Sequence, residues 1–213
     1  MKYDLHTHSK YSRDGWIDVE KMIKIAIKKG LSGIALTDHN TIKGALKAKK
    51  LENENFKIII GSEISTERGE VIGLFLSQEI RSRTFEDVIV EIKEQDGIIV
   101  LPHPFDNIRG NGIKPNNNDA KLVDSVEIFN SRCLLNKYNI QARSYAEKHG
   151  LHSLAGSDAH FAHEIGNAGV YIQEEDLRKS IEQSDLKVFG KKTSPLNLGL
   201  TKAVKIWKRT NSG

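Results

Sequence analysis

Short apolar runs alternate along this chain with polar turns and with stretches whose apolar residues recur at helical spacing. Tyr3–Leu5 is a brief apolar run leading into His6 and His8. Over Asp18–Lys29, Val19, Met22, Ile23, Ala26 and Ile27 fall at helical spacing, with Asp18 as the N-cap and Gly30 as the stop. Gly33–Leu36 and Lys57–Ile60 are strand-sized runs on either side of a second helical stretch, Thr41–Leu51. Val71–Leu76 is a further strand, paired as a hairpin with the preceding one across Arg68-Gly69. A helix over Thr84–Gln95 places Phe85, Val88, Ile89 and Ile92 inward. Strands at Ile98–Leu101, Val123–Phe129, His152–Ala155 and Ala168–Ile172 follow, with helices at Asn136–His149 and Glu174–Gln183. Strand, polar loop, helix, strand is the rhythm of a parallel sheet or barrel covered by helices, an α/β fold. Chemistry in such folds sits at the carboxyl ends of strands. The Gly- and Asn-rich stretch 106–119 reads as an exposed loop.

Composition narrows the class. The chain has 213 residues, 38% hydrophobic and 28% charged, enough for one substantial domain at roughly 150 residues per domain. No run approaches the roughly 18 apolar residues that a membrane span requires. The opening MKYDLHTHS carries no apolar signal core, and the single cysteine, Cys133, excludes an internal disulfide and suits a reducing compartment. A cytoplasmic, non-membrane location is the expectation. Charge divides the chain into residues 1–185 and a basic segment, 186–213. The first part holds 25 basic and 28 acidic residues, a net −3, whereas the second has seven basic residues and no acid, a net +7. A basic end beside an acidic, histidine-bearing body points to a polyanionic partner, against the simpler reading of a solvated tail.

The histidines follow the strand ends. His6 and His8, two apart on a strand, face the same way and can share an ion. Asp14, the Thr37-Asp38-His39 turn, Glu63 after a buried run, His103 between two prolines, and Asp158 and His160 in GSDAH complete the set. Each alone has an ordinary reading as a turn or surface residue. Together His6, His8, Asp14, His39, Glu63, His103, Asp158 and His160 supply five imidazoles and three carboxylates without a thiolate, a donor set for Zn, Mn or Fe. Eight ligands exceed what one ion takes from a protein, so two or three divalent ions are expected. Such sites clamp the attacking and leaving oxygens of a phosphoryl group.

The segments DLHTHSKYSRDG, ALTDHNTIKG, GSE, LPHPFD and GSDAHFAHEIGNAG, in this order from Met1 to about Ile172, resemble the PHP family, named for polymerase and histidinol phosphatase. The last segment resembles the metal-dependent phosphoesterase branch more than histidinol phosphatase. The resemblance implies a distorted seven-stranded (β/α) barrel of the PHP type, a single domain with a metal cluster at its mouth. It implies hydrolysis of phosphate esters, from small phosphomonoesters to nucleotides and nucleic-acid ends. Carried over, one ion takes His6, His8, Glu63 and Asp158, a second takes Glu63 and His103, and a third takes Asp14, His39 and His160. Many relatives carry a histidine where this chain has Glu70, which is taken as a carboxylate ligand in its place.

The mechanism expected from this set is in-line attack on phosphorus by a hydroxide bridging the ions. Asp158 orients it or takes its proton, and Asp38 or His160 is the candidate for proton transfer to the leaving group. Arg109 and Arg132 are candidates to bind phosphate, and Asn130 to bind substrate or a ligand. The partner is then a phosphorylated small molecule or nucleotide. The basic segment keeps a nuclease or end-processing phosphatase open, and a non-catalytic RNA-binding subunit is the alternative of another class. His149, His152 and His163 are placed outside the site, Cys133 in the core, and Trp16 and Trp207 in packing.

Overall fold

In the computed structural model, which describes residues 1–173, 176–183 and 186–210, nine strands form one sheet that curls nearly into a barrel. The strands are β1 (Lys2–Thr7), β2 (Gly33–Leu36), β3 (Lys57–Thr66), β4 (Gly69–Leu74), β5 (Ile98–Leu101), β6 (Ser125–Asn130), β7 (His152–Gly156), β8 (Ala168–Tyr171) and β9 (Lys187–Gly190). The helices are α1 (Val19–Lys28), α2 (Lys43–Lys49), α3 (Phe85–Glu94), α4 (Asn136–His149), α5 (Leu177–Gln183) and α6 (Leu196–Thr210), with a single 3₁₀ turn at Asp119–Lys121. The sheet order is β7-β6-β5-β4-β3-β2-β1-β8-β9. Beyond β7 the chain turns back onto β1: the Asp158 N–H donates to His6 O at 2.8 Å and the His8 N–H to Ala159 O at 2.8 Å. This link brings the β7 edge of the sheet against β1 and places residues 158–160 over the end of β1.

The family expectation of seven strands is corrected to nine, and the sheet is mixed rather than parallel. β1–β2–β3 and β5–β6–β7 are parallel, while β3–β4, β4–β5, β1–β8 and β8–β9 are antiparallel. The hairpin across Arg68-Gly69 is present, Thr66 pairing with Gly69. β3 runs on through Gly61-Ser62-Glu63, so Glu63 lies inside a paired strand opposite Ile72 rather than in a loop. β9, inside the basic segment, extends the sheet past residue 185, and Glu174 and Glu175 of the expected last helix lie outside the described residues.

Packing follows the sequence periodicity. α3 buries Phe85, Val88, Ile89 and Ile92, each a side chain whose burial is worth roughly 1.5–3 kcal/mol. α4 stops at Gly150, whose φ of 64° is the left-handed cap glycine accepts without penalty. α1 begins at Asp18 as expected, but the carboxylate pairs with Lys10 instead of capping the helix. Among the described residues no helix is long and apolar enough to cross a membrane.

Candidate metal centre and cavity

The expected metal ligands converge at one end of the barrel. β1 delivers His6 and His8, whose Nε2 atoms lie 3.1 Å apart. His6 Nε2 is 3.4 Å from Glu63 Oε2 and 3.8 Å from Asp158 Oδ1, and His8 Nε2 is 3.3 and 3.4 Å from the same two oxygens. Ligands about 2.0–2.1 Å from a tetrahedral ion stand about 3.4 Å from one another, so these four atoms have the edge lengths of a first coordination sphere. Beside them, His39 Nε2 and His160 Nε2 each approach an Asp14 oxygen at 3.3 Å. On the other side, His103 Nε2 lies 2.9 Å from Glu63 Oε1 and 3.7 Å from Glu70 Oε2, and His39 Nδ1 lies 3.5 Å from Glu70 Oε1. Glu63 thus touches two groups of donors with its two oxygens. Sets of donors close enough to share an ion include His8-Asp14-His39-His160, His6-His8-Asp158, His6-Glu63-His103 and His39-Glu63-Glu70.

Hydrogen bonds behind the donors test whether they suit a cation. His6 Nδ1 is 3.0 Å from Glu127 Oε1, and His160 Nδ1 is 2.9 Å from the Asp158 carbonyl oxygen. An acceptor at Nδ1 holds the proton there and leaves Nε2 as a lone pair. That lone pair then faces a carboxylate oxygen or another imidazole, with almost no water access. Acceptors facing acceptors in a buried site repel one another unless a cation lies between them. The donor set therefore fits divalent ions.

The electrostatics agree. Burial alone would raise the Asp158 carboxyl, but the Arg109 guanidinium and the neighbouring imidazoles hold it well below the usual range. Glu63 is held low in the same way by His6 and His39 against its own burial. Burial and the Glu63 charge push Glu70 up. Burial, with the charges of His160 and His39, depresses His8 to about 3, so it stays a neutral donor. His39 is raised to about 9 because the charges of Glu63, Asp14 and Glu70 outweigh its burial.

Local backbone geometry places these groups. His103 has φ 29° and Asp158 φ 55°, both left-handed positions that cost of order ~1–3 kcal/mol in a non-glycine residue. The prolines flanking His103 stiffen this turn, and its N–H donates to Glu127 Oε2 at 2.8 Å. At Gly156 a Cβ would overlap His6 and stand 2.9 Å from Glu127 Oε1, so only glycine lets β7 pass so close to the ligand.

Above the donors opens a cavity of about 270 Å³. Asp14, His39, Glu63, Glu70, His103, Asp158 and His160 form its floor, with His6 and His8 buried beneath. Arg109, Arg132, Lys202 and Lys205 contribute to its walls. The two arginines expected to bind phosphate are both here, each with internal partners, while Arg109 Nε and Nη2 and Arg132 Nε donate no hydrogen bond among the described residues. Arg109 is ion-paired with Asp158 and lies 3.4 Å from Asp106. Arg132 donates to the Asp158 carbonyl at 3.4 Å, Asn197 O at 3.0 Å and Thr201 Oγ1 at 2.6 Å.

Two other expected site residues are not brought to the cavity. Asn130 is fully buried and donates to Glu127 Oε2 at 2.9 Å and Asp158 Oδ2 at 3.2 Å, touching a ligand residue rather than open space. Asp38 is buried, its oxygens taking the Ser9 N–H at 2.6 Å and the Ser9 hydroxyl at 2.7 Å. Burial raises its carboxyl to about 6, yet it is cut off from the space a leaving group would occupy. His149, His152 and His163 lie away from the donors, and Cys133 is buried.

Sequence reasoning missed Glu127. From the middle of β6 its carboxylate accepts from Asn130 and the His103 N–H and meets His6, while the apolar barrel interior of Leu5, Ile72, Leu74, Val100 and Leu154 lies against it. The signal was a lone acid inside the apolar run VEIF. Ser12, whose hydroxyl donates to Asp14 Oδ1 at 2.9 Å, and Glu164, which accepts the His160 N–H at 2.9 Å, were also unseen.

The PHP domain model matches residues 4–184, most of the chain. The chain belongs to the PHP domain family. It is 39% identical over 185 residues to the uncharacterised protein MJ0417 of Methanocaldococcus jannaschii, spanning 84% of this chain and 73% of that protein. A second protein of that organism, the uncharacterised MJ1587, is 42% identical over 144 residues, 62% of this chain and 82% of its own length. Among solved structures, a two-domain protein of Bacteroides vulgatus, described as containing a predicted PHP-like metal-dependent phosphoesterase, superposes with a TM-score of 0.74 at 20% identity. That match covers 90% of this PHP domain chain and 65% of the other chain, and it speaks to the fold.

Proposed function

We infer that this PHP domain is a metal-dependent phosphoesterase acting on small phosphate esters or nucleotides. The observation that carries this reading is the convergence of nine donor side chains, seven on the floor of a cavity open to solvent and two beneath it, with the His6 and His160 Nε2 lone pairs facing carboxylates. His6, His8, Glu63 and Asp158 would hold one divalent ion, Glu63, His103 and Glu70 a second, and Asp14, His39 and His160, with His8 close by, a third; Zn, Mn and Fe all suit these nitrogen and oxygen donors. When bound, such ions lower the pKa of water toward ~7 and neutralise phosphate charge.

The protein's own groups do the rest. Glu127 and the Asp158 carbonyl fix the His6 and His160 rings so that Nε2 points to the floor. Arg109 keeps Asp158 ionised, which suits it to hold a cation and not to carry a proton. The cavity above the floor, about 270 Å³, leaves room for one small ester or one strand end.

The +7 segment favours a second reading within the same chemistry, trimming of nucleic-acid ends, because α6 of that segment lines the cavity with two lysines. A scaffold without catalysis is disfavoured, since so many buried donors are costly to keep without ions. The test is phosphate release by Mn-loaded protein across sugar phosphates, nucleotides and short oligonucleotides. Release lost in His8→Ala is expected. A fully loaded protein inert toward all three classes would overturn the reading, and RNA binding that survives metal removal would support the scaffold.

A further inference from the structure

α6 lies outside the span matched by the family model, yet it closes one side of the cavity. It is fastened at both ends. Near its start, Arg132 donates to Asn197 O and Thr201 Oγ1, and the Asn197 side chain donates to Glu164 Oε1 at 2.9 Å. Near its end, the Lys208 ammonium donates to the carbonyls of Lys10, Ser12 and Gly15 at 2.9, 2.8 and 2.6 Å. Trp207 packs edge-on against Trp16, ring centroids 5.3 Å apart. These ties hold the helix across the loop that carries Asp14.

Between the two ties, Lys202 and Lys205 stand three residues apart on the same helical face, and both line the cavity. Neither takes part in an ion pair with any described residue. Arg109 and Arg132, by contrast, each pair with a carboxylate inside the protein, although Arg109 Nε and Nη2 and Arg132 Nε donate no hydrogen bond among the described residues. Across the cavity, floor and wall therefore have different chemistries. The floor gathers donors for cations, and those cations would hold the phosphate that reacts. The wall offers two uncommitted ammonium groups that the reacting phosphate does not need.

We propose that Lys202 and Lys205 form a second anion subsite, so that the preferred substrate carries a further phosphate besides the one at the floor. This rests on the phosphoesterase reading. The second phosphate belongs either to a small bisphosphorylated molecule or to the next linkage of a nucleic-acid strand, and its recognition by the wall is the same. Lysine suits this task, since a point charge on a flexible stem accepts phosphates at a range of positions.

The test is calorimetric binding to Mn-loaded protein of two probes with one carbon skeleton, propyl phosphate and propane-1,3-diol bisphosphate. Wild type is expected to bind the bisphosphate about tenfold or more tightly, the gain of a charge-assisted contact. In the Lys202→Gln/Lys205→Gln double variant that ratio collapses toward one, and in Lys202→Arg/Lys205→Arg it is retained. A ratio near one in wild type, or one unchanged by the glutamine pair, overturns the subsite while leaving the phosphoesterase reading intact. Failure of both probes to bind the loaded wild type would instead remove that reading. A 5′-phosphorylated dinucleotide and octanucleotide assign the source. Affinity that grows with length places a strand along α6, and affinity already complete with the bisphosphate places a small molecule.

Discussion

The floor and the wall of the cavity are built on opposite terms. The floor draws side chains from β1, β3, β4 and the segments after β2, β5 and β7, nearly all shielded from water, and holds His103 and Asp158 at left-handed φ. One side of the wall is a helix, α6, with Leu196 78%, Leu200 53% and Ile206 64% exposed, fastened by a few polar ties. A buried donor displaced by an ångström leaves an uncompensated charge, so the floor tolerates few residues at each position. An ammonium on a flexible stem reaches its target from many backbone positions, so the wall tolerates many. In the function proposed, the floor fixes the chemistry and the wall selects the substrate.

The largest expected effect falls on the bridging carboxylate. Glu63→Gln should lower phosphate release by more than the ~100-fold that losing an outer partner can cost, because Glu63 oxygens face two donor groups at once. A variant with near-normal turnover would show that the floor is not one connected unit. Next comes Glu127→Gln, which keeps the shape but weakens the acceptor behind His6. Metal affinity is expected to fall ~10–100-fold with the fold intact, as read by competition with a chelator and by circular dichroism.

Protonation sharpens the contrast further. Below pH 9 the metal-free protein carries a proton on His39, whose affinity for it is raised to about 9. An incoming cation must displace that proton, so affinity at this position rises with pH from 6 to 9, by up to about tenfold per unit, and then levels. Titrating Mn into metal-free protein at pH 7 in buffers of different ionisation enthalpy should show proton release. No release would mean that His39 is not a ligand. The smallest effect is expected at the wall. Lys208→Met removes three carbonyl contacts and should loosen α6 by ~1 kcal/mol, seen as faster limited proteolysis within the helix, while metal content stays at the wild-type level. Loss of metal in this variant would show that the wall supports the floor.

The same contrast governed what could be read from the chain. Most donors stand at or just after the ends of apolar runs within short, ordered motifs, and Glu70 stands where many relatives carry a histidine, so His6, His8, Asp14, His39, Glu63, Glu70, His103, Asp158 and His160 were all identifiable, and all lie together. Local periodicity located α1 and α3 because each has a clean apolar face, whereas α4 buries a mixed face of Tyr138, Asn139, Ala142, Tyr145 and Ala146. What failed was whatever depends on tertiary context. GSE looks like a loop but continues β3, since Glu63 pairs across to Ile72. Glu127 looked like an interruption of an apolar strand, and only the folded barrel sets it behind His6. Asp38 and Asn130 carry suitable chemistry in suitable motifs, yet folding commits their polar atoms to Ser9 and Glu127. α6 was hidden by its charge, which drew attention to a basic tail rather than to the helix spacing beneath it.

The central claim is that this floor holds several adjacent cations. The most direct test is the metal-to-protein ratio of Mn-saturated wild-type protein after removal of free ion. Two or three equivalents per chain are predicted. Retention of one equivalent or fewer would contradict the account.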